Sequence, residues 1–263
     1  MNFLLQQYMK NNNLSKFEND GFLLQKNLFS KADLLSFEIE FNKILYQLNN
    51  SNENINARWG SPLTNDLEDK NSCVIHTHNV HSFSAKMLEM IQQKRFLDHV
   101  ESFMGPDIML HHTKLFYKPP LIGSAFPLHQ DWSYFPSEKN TMITAVIHLT
   151  DTSSEMGCIR LIPKSHKFGQ IKKSDGHKHI DQIHSKYTLE KALPITAKAG
   201  EVLFFHSCTI HGSLPNQDLK PRKTILVQLY SGKDKIIKND HTNVEIVLRG
   251  WNYFATRESA GKL

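Results

Sequence analysis

The sequence predicts a mainly β fold with flanking helices, built as an antiparallel sandwich or barrel. From Ile108 onward, short apolar runs alternate with turn residues at the spacing typical of such folds. No long helical pattern interrupts these runs, which argues against parallel βαβ units. Before residue 107 the apolar residues recur with a helical period instead. With 263 residues, 40% of them apolar, the chain is long enough for one domain with a substantial core.

The N-terminal part, residues 1–106, is predicted to be a mainly helical support with one early strand at residues 21–24. Ser30 and Asp33 stand at the N-cap and N3 positions of a helix. The residues that follow repeat with 3.6-residue periodicity, so one face of this helix should pack on a larger body; they are Leu34, Phe37, Phe41, Leu45 and Leu48. A second helical region covers residues 84–103 and stops at Gly105-Pro106.

Residues 107–232 hold the predicted β core, and the whole chain, 1–263, is interpreted as one domain. The strand candidates are the runs IMLHHTKLFY, PLHQDWSYF, MITAVIHL, CIRLIP, EVLFF, TIHGS and TILVQLY. Residues 172–191 are polar and rich in lysine and histidine, which indicates an insertion between two strands. Residues 233–263 form a C-terminal extension.

Composition and charge exclude several classes of protein. The net charge of +5 is modest and dispersed, so nucleic acid is not an expected partner. The three cysteines are far apart and form no CxxC pattern, which favours a reducing compartment over a disulfide framework. No signal peptide and no membrane-spanning run is recognisable. We therefore expect a cytoplasmic protein without a membrane or an obligate protein partner.

Histidine is unusually abundant, with 15 copies, and this directs attention to metal ligands. His129 and Asp131 are expected in one strand, where residues i and i+2 face the same side. A second pair, His179 and Asp181, lies in the polar insertion, and for it a solvated loop is the favoured interpretation. The spacing alone is a weak signal, so the neighbouring motifs decide between the two pairs.

The motif TIHGS supplies the third candidate ligand, His211. Ser213 lies on the same strand face, and Arg222 heads the next apolar strand. We expect Arg222 to fall nearly opposite Ser213, with both about 7 Å from His211. Two histidines and one carboxylate are the ligand set of non-haem iron(II) oxygenases, and arginine offers a planar clamp for a carboxylate. His206 competes with His211 for the third place, but no arginine follows His206 at the same distance.

These motifs identify a resemblance to a known family. The runs PLHQDWSYFP, GCIRLIPKSHKFG and GEVLFFHSCTIHGSLPN, together with Arg222 eleven residues after His211, resemble the phytanoyl-CoA dioxygenase family of Fe(II)/2-oxoglutarate-dependent oxygenases. The resemblance implies a double-stranded β-helix, the jelly roll also found in cupins. It implies that iron is bound by His129, Asp131 and His211. It further implies that 2-oxoglutarate is held by Arg222 and Ser213 in a pocket also lined by Lys114.

The implied reaction is hydroxylation of an unactivated C–H bond, with O2 as oxidant and succinate and CO2 as products. Asp131 favours hydroxylation over halogenation, since halogenating relatives lack this carboxylate, while desaturation or ring closure stays open. The substrate is expected to be a small polar or anionic metabolite. Its contacts are predicted among Trp132, Tyr134, His78 and His111. The alternatives are a jelly-roll binding protein without redox chemistry and an isomerase or hydrolase that uses another cation.

Overall fold

The computed structural model describes residues 13–171, 181–237 and 242–255. Within these ranges the strands are β1 (Phe22–Gln25), β2 (Ile75–His78), β3 (Ile108–Lys118), β4 (Phe126–His129), β5 (Ile143–His148), β6 (Ile159–Leu161), β7 (Leu193–Pro194), β8 (Val202–His206), β9 (His211–Ser213), β10 (Arg222–Ser231) and β11 (Ile246–Arg249). The helices are α1 (residues 13–20), α2 (Lys31–Asn49), α3 (Val80–Phe83), α4 (Ala85–Gln92), α5 (Lys94–Met104) and α6 (Asp181–His184).

The strands form two antiparallel sheets. The larger sheet has the order β1-β8-β5-β10-β3-β11, with β2 also paired to β3, and the smaller has the order β4-β9-β6-β7. Val146 and Phe205 of the larger sheet pack with Leu161 of the smaller in one buried cluster, so the two sheets face each other. This arrangement is the predicted double-stranded β-helix, and the space between the sheets is where the candidate site lies.

Helices α1 to α5 cover the outer face of the larger sheet, opposite the candidate site. Helix α2 begins after Ser30, whose hydroxyl accepts a hydrogen bond from the Asp33 N–H while the Asp33 carboxylate accepts one from the Ser30 N–H. This capping box is the one predicted from the sequence. Phe37 and Phe41 of α2 are buried together with Phe204 of β8 in the main core. The helical support therefore fixes the sheet that carries half of the site.

The helical support and the C-terminal extension both differ from the sequence prediction. The helical region of residues 84–103 is divided at Gln93, whose backbone is extended at φ −58° and ψ 132°. The Gln93 side chain donates to Asp33 at 3.1 Å, which ties this break to the start of α2. The C-terminal extension contains β11, which pairs with β3 and widens the larger sheet. In the part of the chain that the structure describes, no helix has both the length and the apolarity to cross a bilayer.

The polar insertion is only partly described. Residues 172–180, including His179, lie outside the described residues, and Asp181 opens the short helix α6. Ile183 of this helix and Leu189 beyond it are buried against Leu128 and Ile210 of the smaller-sheet region. The end of the insertion is thus packed on the protein instead of being a wholly solvated loop.

Candidate metal centre and cosubstrate pocket

The three predicted ligands meet at one edge of the smaller sheet. His129 ends β4 and His211 begins β9, and the two residues are direct partners in the antiparallel register. Asp131 follows two residues later, in a 3-10 turn over Asp131–Ser133. One ligand atom from each side chain lies within 4.8 Å of the other two. The structure therefore assembles the triad from two paired strands and a turn.

The expectation that His129 and Asp131 share one strand is wrong. The chain leaves β4 after His129, and the turn is fixed by backbone hydrogen bonds from Trp132 to Ser207 at 3.0 Å and from Tyr134 to Asp131 at 2.9 Å. This turn, and not strand alternation, brings the carboxylate toward His129 and His211.

Both histidines present the same nitrogen to the centre. The Nδ1 atom of His129 lies 2.8 Å from the Pro127 carbonyl, and that of His211 lies 2.9 Å from the Thr209 carbonyl. Since a carbonyl accepts, each Nδ1 carries the proton and each Nε2 offers a lone pair. Burial, together with the neighbouring His211, lowers the pKa of His129 to about 3, so this imidazole is neutral at physiological pH. Neutral imidazoles with a fixed tautomer are the form that binds metal.

Asp131 is oriented in the same way. Its Oδ2 accepts hydrogen bonds from the Thr144 hydroxyl and from Gln228 Nε2, the latter at 2.8 Å. Its Oδ1 lies 3.9 Å from His129 Nε2 and 3.7 Å from His211 Nε2. Burial alone would raise the pKa of this carboxyl, but the two histidines and the two hydrogen bonds outweigh burial and hold the pKa below its usual value. The donor set of two nitrogens and one carboxylate oxygen fits Fe(II) with open positions.

Arg222 and Ser213 also lie in the space between the sheets, but not on neighbouring strands as expected. Ser213 is on β9 of the smaller sheet, while Arg222 heads β10 of the larger sheet. The prediction of direct pairing is wrong because the chain crosses from one sheet to the other between them. Lys118 links the two: it is the register partner of Arg222, and its ammonium group donates to Ser213 Oγ at 2.7 Å.

Arg222 has a donor edge available for a ligand. The residue is buried, its Nη1 donates to the Gly157 carbonyl, and its Nε is buried without a hydrogen-bond partner among the described residues. Gly157 has φ +64°, and a Cβ there would lie 2.3 Å from the Leu214 carbonyl oxygen, so only glycine fits this turn. Burial lowers the pKa of Arg222 to about 10, which leaves it charged at neutral pH. A buried cation with an unused donor fits a carboxylate.

Lys118 is a pocket residue that the sequence did not predict. It is fully buried, and besides Ser213 it donates to the Leu214 carbonyl at 2.7 Å. Burial and the charge of Arg222 lower its pKa well below the ordinary value. A Lys118 bond to Ser213 Oγ leaves the Ser213 proton available for another acceptor. The signal that could have revealed it is strand alternation, since Lys118 lies four residues from Lys114 on the same face of β3.

Lys114 lies at the metal end of the space between the sheets. Its ammonium group is 5.1 Å from the centroid of the Phe135 ring. Burial lowers its pKa to about 8, and the charge of Asp131 acts in the opposite direction. Ser213 and Arg222 are joined by Lys118 instead, so Lys114 is not brought together with them. His78 of β2 is the register partner of Lys114.

The other predicted substrate residues are spread around the triad. The Tyr134 ring lies 6.1 Å from that of His129, whereas Trp132 sits in the turn with its indole Nε1 buried and without a partner among the described residues. His111 is fully buried, with its ring 5.3 Å from that of Phe135. Trp59, which the sequence did not predict at the site, has its ring 4.7 Å from that of His129. A single tryptophan in a polar loop gave no signal of this placement.

Comparison with known proteins agrees with the fold and with the family resemblance. The family model described as phytanoyl-CoA dioxygenase (PhyH) matches residues 17–224. The human peroxisomal phytanoyl-CoA dioxygenase is 32% identical over 237 residues, which cover 80% of this chain but only 64% of the human protein. A probable alpha-ketoglutarate-dependent hypophosphite dioxygenase of Stutzerimonas stutzeri is 28% identical over 160 residues, 57% of this chain and 54% of that protein.

Among solved structures, the epimerase SnoN in complex with Fe3+, alpha ketoglutarate and nogalamycin RO has a TM-score of 0.72 at 15% identity. The match covers 92% of this chain and 100% of SnoN. At this identity the likeness shows a shared fold, which confirms the predicted jelly roll. The family match confirms the resemblance read from the sequence and its enzyme class: this chain belongs to the phytanoyl-CoA dioxygenase family.

Proposed function

We propose that this chain is an Fe(II)- and 2-oxoglutarate-dependent dioxygenase that hydroxylates an unactivated C–H bond of a small metabolite, polar or anionic in character. The observation that carries the proposal is the combination of two ligand systems in one space. His129, Asp131 and His211 offer two nitrogens and one oxygen to a metal, and the Arg222 guanidinium lies between the same two sheets. Family membership supports the reaction class.

Each residue has a defined task in this proposal. The Nε2 atoms of His129 and His211 and the Oδ1 of Asp131 hold Fe(II). The Arg222 guanidinium and the Ser213 hydroxyl hold the distal carboxylate of 2-oxoglutarate. When bound, iron and 2-oxoglutarate supply the oxidising chemistry, in which O2 is consumed and succinate and CO2 leave. The protein positions these groups and excludes water, because the side chains around them are largely buried.

The alternative is a jelly-roll protein that binds a metal or ligand without redox chemistry. Such a protein has no need of a buried arginine with an unused donor edge between the same two sheets as the triad. The pair of Arg222 and Ser213 therefore favours the dioxygenase. Desaturation and ring closure use the same residues, and the choice among these outcomes depends on the substrate.

The test uses the whole chain with Fe(II) and 2-oxoglutarate. Without oxygen, adding both should produce a visible charge-transfer band, and admitting air should release succinate. Asp131→Ala should lose the iron and the band, whereas the matched variant Asp181→Ala should keep both. Folded, iron-loaded protein without the band and without succinate would contradict the proposal. Loss of iron from Asp181→Ala would show that the wrong histidine–aspartate pair was chosen.

The proposed location is the cytoplasm. Cys73, Cys158 and Cys208 are free thiols in the structure, as expected in a reducing compartment. The name of the human relative describes that protein as peroxisomal, and we do not carry this location over to the present chain.

A further inference from the structure

Lys114 is a cation in the pocket without a counter-ion. Its side chain is partly exposed, and no hydrogen bond or ion pair joins it to another described residue. The carboxylate that acts on it electrostatically is Asp131, which is committed to the metal in the proposed function. A half-buried ammonium group without a counter-ion is unfavourable, since it has lost part of its hydration.

The charges of the proposed cofactors do not compensate Lys114. The two charges of Fe(II) are neutralised by Asp131 and by the carboxylate of 2-oxoglutarate nearest to the metal. The distal carboxylate is neutralised by Arg222. Lys118 is satisfied by two neutral acceptors, the Ser213 hydroxyl and the Leu214 carbonyl. With iron and cosubstrate bound, the positive charge of Lys114 therefore remains unbalanced.

The surroundings of Lys114 are suited to an anion. His78 is its register partner on β2, and His112 lies two residues away on the same strand, with the two imidazole rings 5.7 Å apart. Imidazole N–H groups donate to oxyanions. Lys114, whose charge acts on Asp131, thus lies on a side of the space that also carries two imidazole rings.

We infer that the substrate carries an oxyanion, either a carboxylate or a phosphoryl group, and that Lys114 binds this group with His78 beside it. This inference rests on the proposed function. It reassigns Lys114 from the cosubstrate, where the family resemblance placed it, to the substrate. The C–H bond to be hydroxylated then lies between the oxyanion and the metal, so Lys114 sets which end of the substrate enters first.

The experiment measures binding without turnover. Mn(II) replaces iron, because it is paramagnetic and broadens the NMR lines of molecules bound near it, and saturating 2-oxoglutarate fills its own site. The probes are methylphosphonate for a phosphoryl group, acetate for a carboxylate, and dimethyl sulfone as a neutral molecule of similar size. We expect clear broadening of at least one anion and little broadening of dimethyl sulfone. The anion that is broadened more identifies the class of oxyanion.

Variants then test the role of Lys114. Lys114→Met should weaken binding of the preferred anion by roughly 10-fold or more, the usual loss for one charge-assisted hydrogen bond, and Lys114→Arg should restore much of it. The control Lys139→Met, at an exposed lysine, should bind as the wild type does. Anion binding that is unchanged in Lys114→Met would overturn the inference. So would a loss of 2-oxoglutarate affinity in that variant with anion binding intact, since Lys114 would then serve the cosubstrate.

The same samples separate this inference from the proposed function. The lines of 2-oxoglutarate should themselves be broadened by Mn(II) in the wild type. If 2-oxoglutarate is broadened and neither anion is, the inference fails and the proposed function stands. If 2-oxoglutarate is not broadened either, the proposed function fails, and the inference fails with it.

Discussion

Replacing Arg222 with lysine tests the cosubstrate pocket most directly. The substitution keeps a positive charge and removes the planar fork of donors. In the structure one arm of that fork is committed to the Gly157 carbonyl, while Nε is buried and has no partner among the described residues. A lysine ammonium group at this position has to choose between the Gly157 carbonyl and the carboxylate of 2-oxoglutarate. The variant should therefore bind the cosubstrate more weakly.

The size of the effect follows from the number of bonds lost. A hydrogen bond between charged partners contributes about 1.5–3 kcal/mol, so losing one arm of the clamp should weaken 2-oxoglutarate binding roughly 10- to 150-fold. Solvent screening should reduce this little, because Arg222 is only 4% exposed. Iron affinity should not change, since the iron ligands lie on β4, on β9 and in the turn that follows β4.

The assay is a titration of 2-oxoglutarate into wild-type protein and Arg222→Lys at saturating Fe(II) without oxygen, with iron content measured in parallel. Arg160→Lys is the matched control. The Arg160 side chain also donates to backbone carbonyls, those of Leu189, Glu190 and Ala192, but among the described residues it forms no hydrogen bond or ion pair with those assigned to the pocket. An affinity for 2-oxoglutarate that is the same in Arg222→Lys and wild type would refute the assignment of Arg222.

The sequence was informative about the fold where local chemistry decides it. The capping box at Ser30 and the periodic apolar residues of α2 depend on neighbours within a few positions, and both are confirmed. Strands β7 and β11 were not predicted, since they have only two and four residues and gain stability from the strands beside them. The break at Gln93 depends on a contact with Asp33, sixty positions away.

The candidate site shows the same division. The triad could be chosen from the sequence, because the motif TIHGS and Arg222 favoured the pair His129 and Asp131 over the pair in the polar insertion. The placement of Arg222 relative to Ser213 could not be predicted, because the expectation that they stand opposite each other assumed that successive strands pair. In a two-sheet fold the successive strands β9 and β10 lie in different sheets. Lys118 was not predicted for a related reason. Strand alternation puts it on the same face as Lys114, but a lysine in a strand is ordinarily solvated, and only the facing sheet shows that Lys118 is buried.

Three further predictions concern the groups around the triad. Lys118→Met should weaken 2-oxoglutarate binding about 2- to 13-fold at unchanged iron content, the loss of one net hydrogen bond; equal affinity in the titration above would reduce Lys118 to packing. Thr144→Val removes a donor to Asp131 and should lower iron affinity roughly 10- to 100-fold, measured by competition with a chelator; unaltered competition would contradict this. The third prediction is that His206 makes the free energy of unfolding depend on pH. Burial lowers the pKa of His206 to about 4, and its Nδ1 accepts a hydrogen bond from the Cys208 N–H at 3.0 Å. The folded state thus requires neutral His206, while the unfolded chain binds a proton near pH 6.5. The stability that neutral His206 contributes is therefore complete above pH 6.5. As the pH falls toward about 4 it is lost, and the free energy of unfolding decreases by roughly 1 kcal/mol per pH unit. Urea unfolding of the metal-free protein between pH 7 and pH 5 should show a shallower loss in His206→Gln than in wild type, and parallel curves would show that His206 does not carry this dependence.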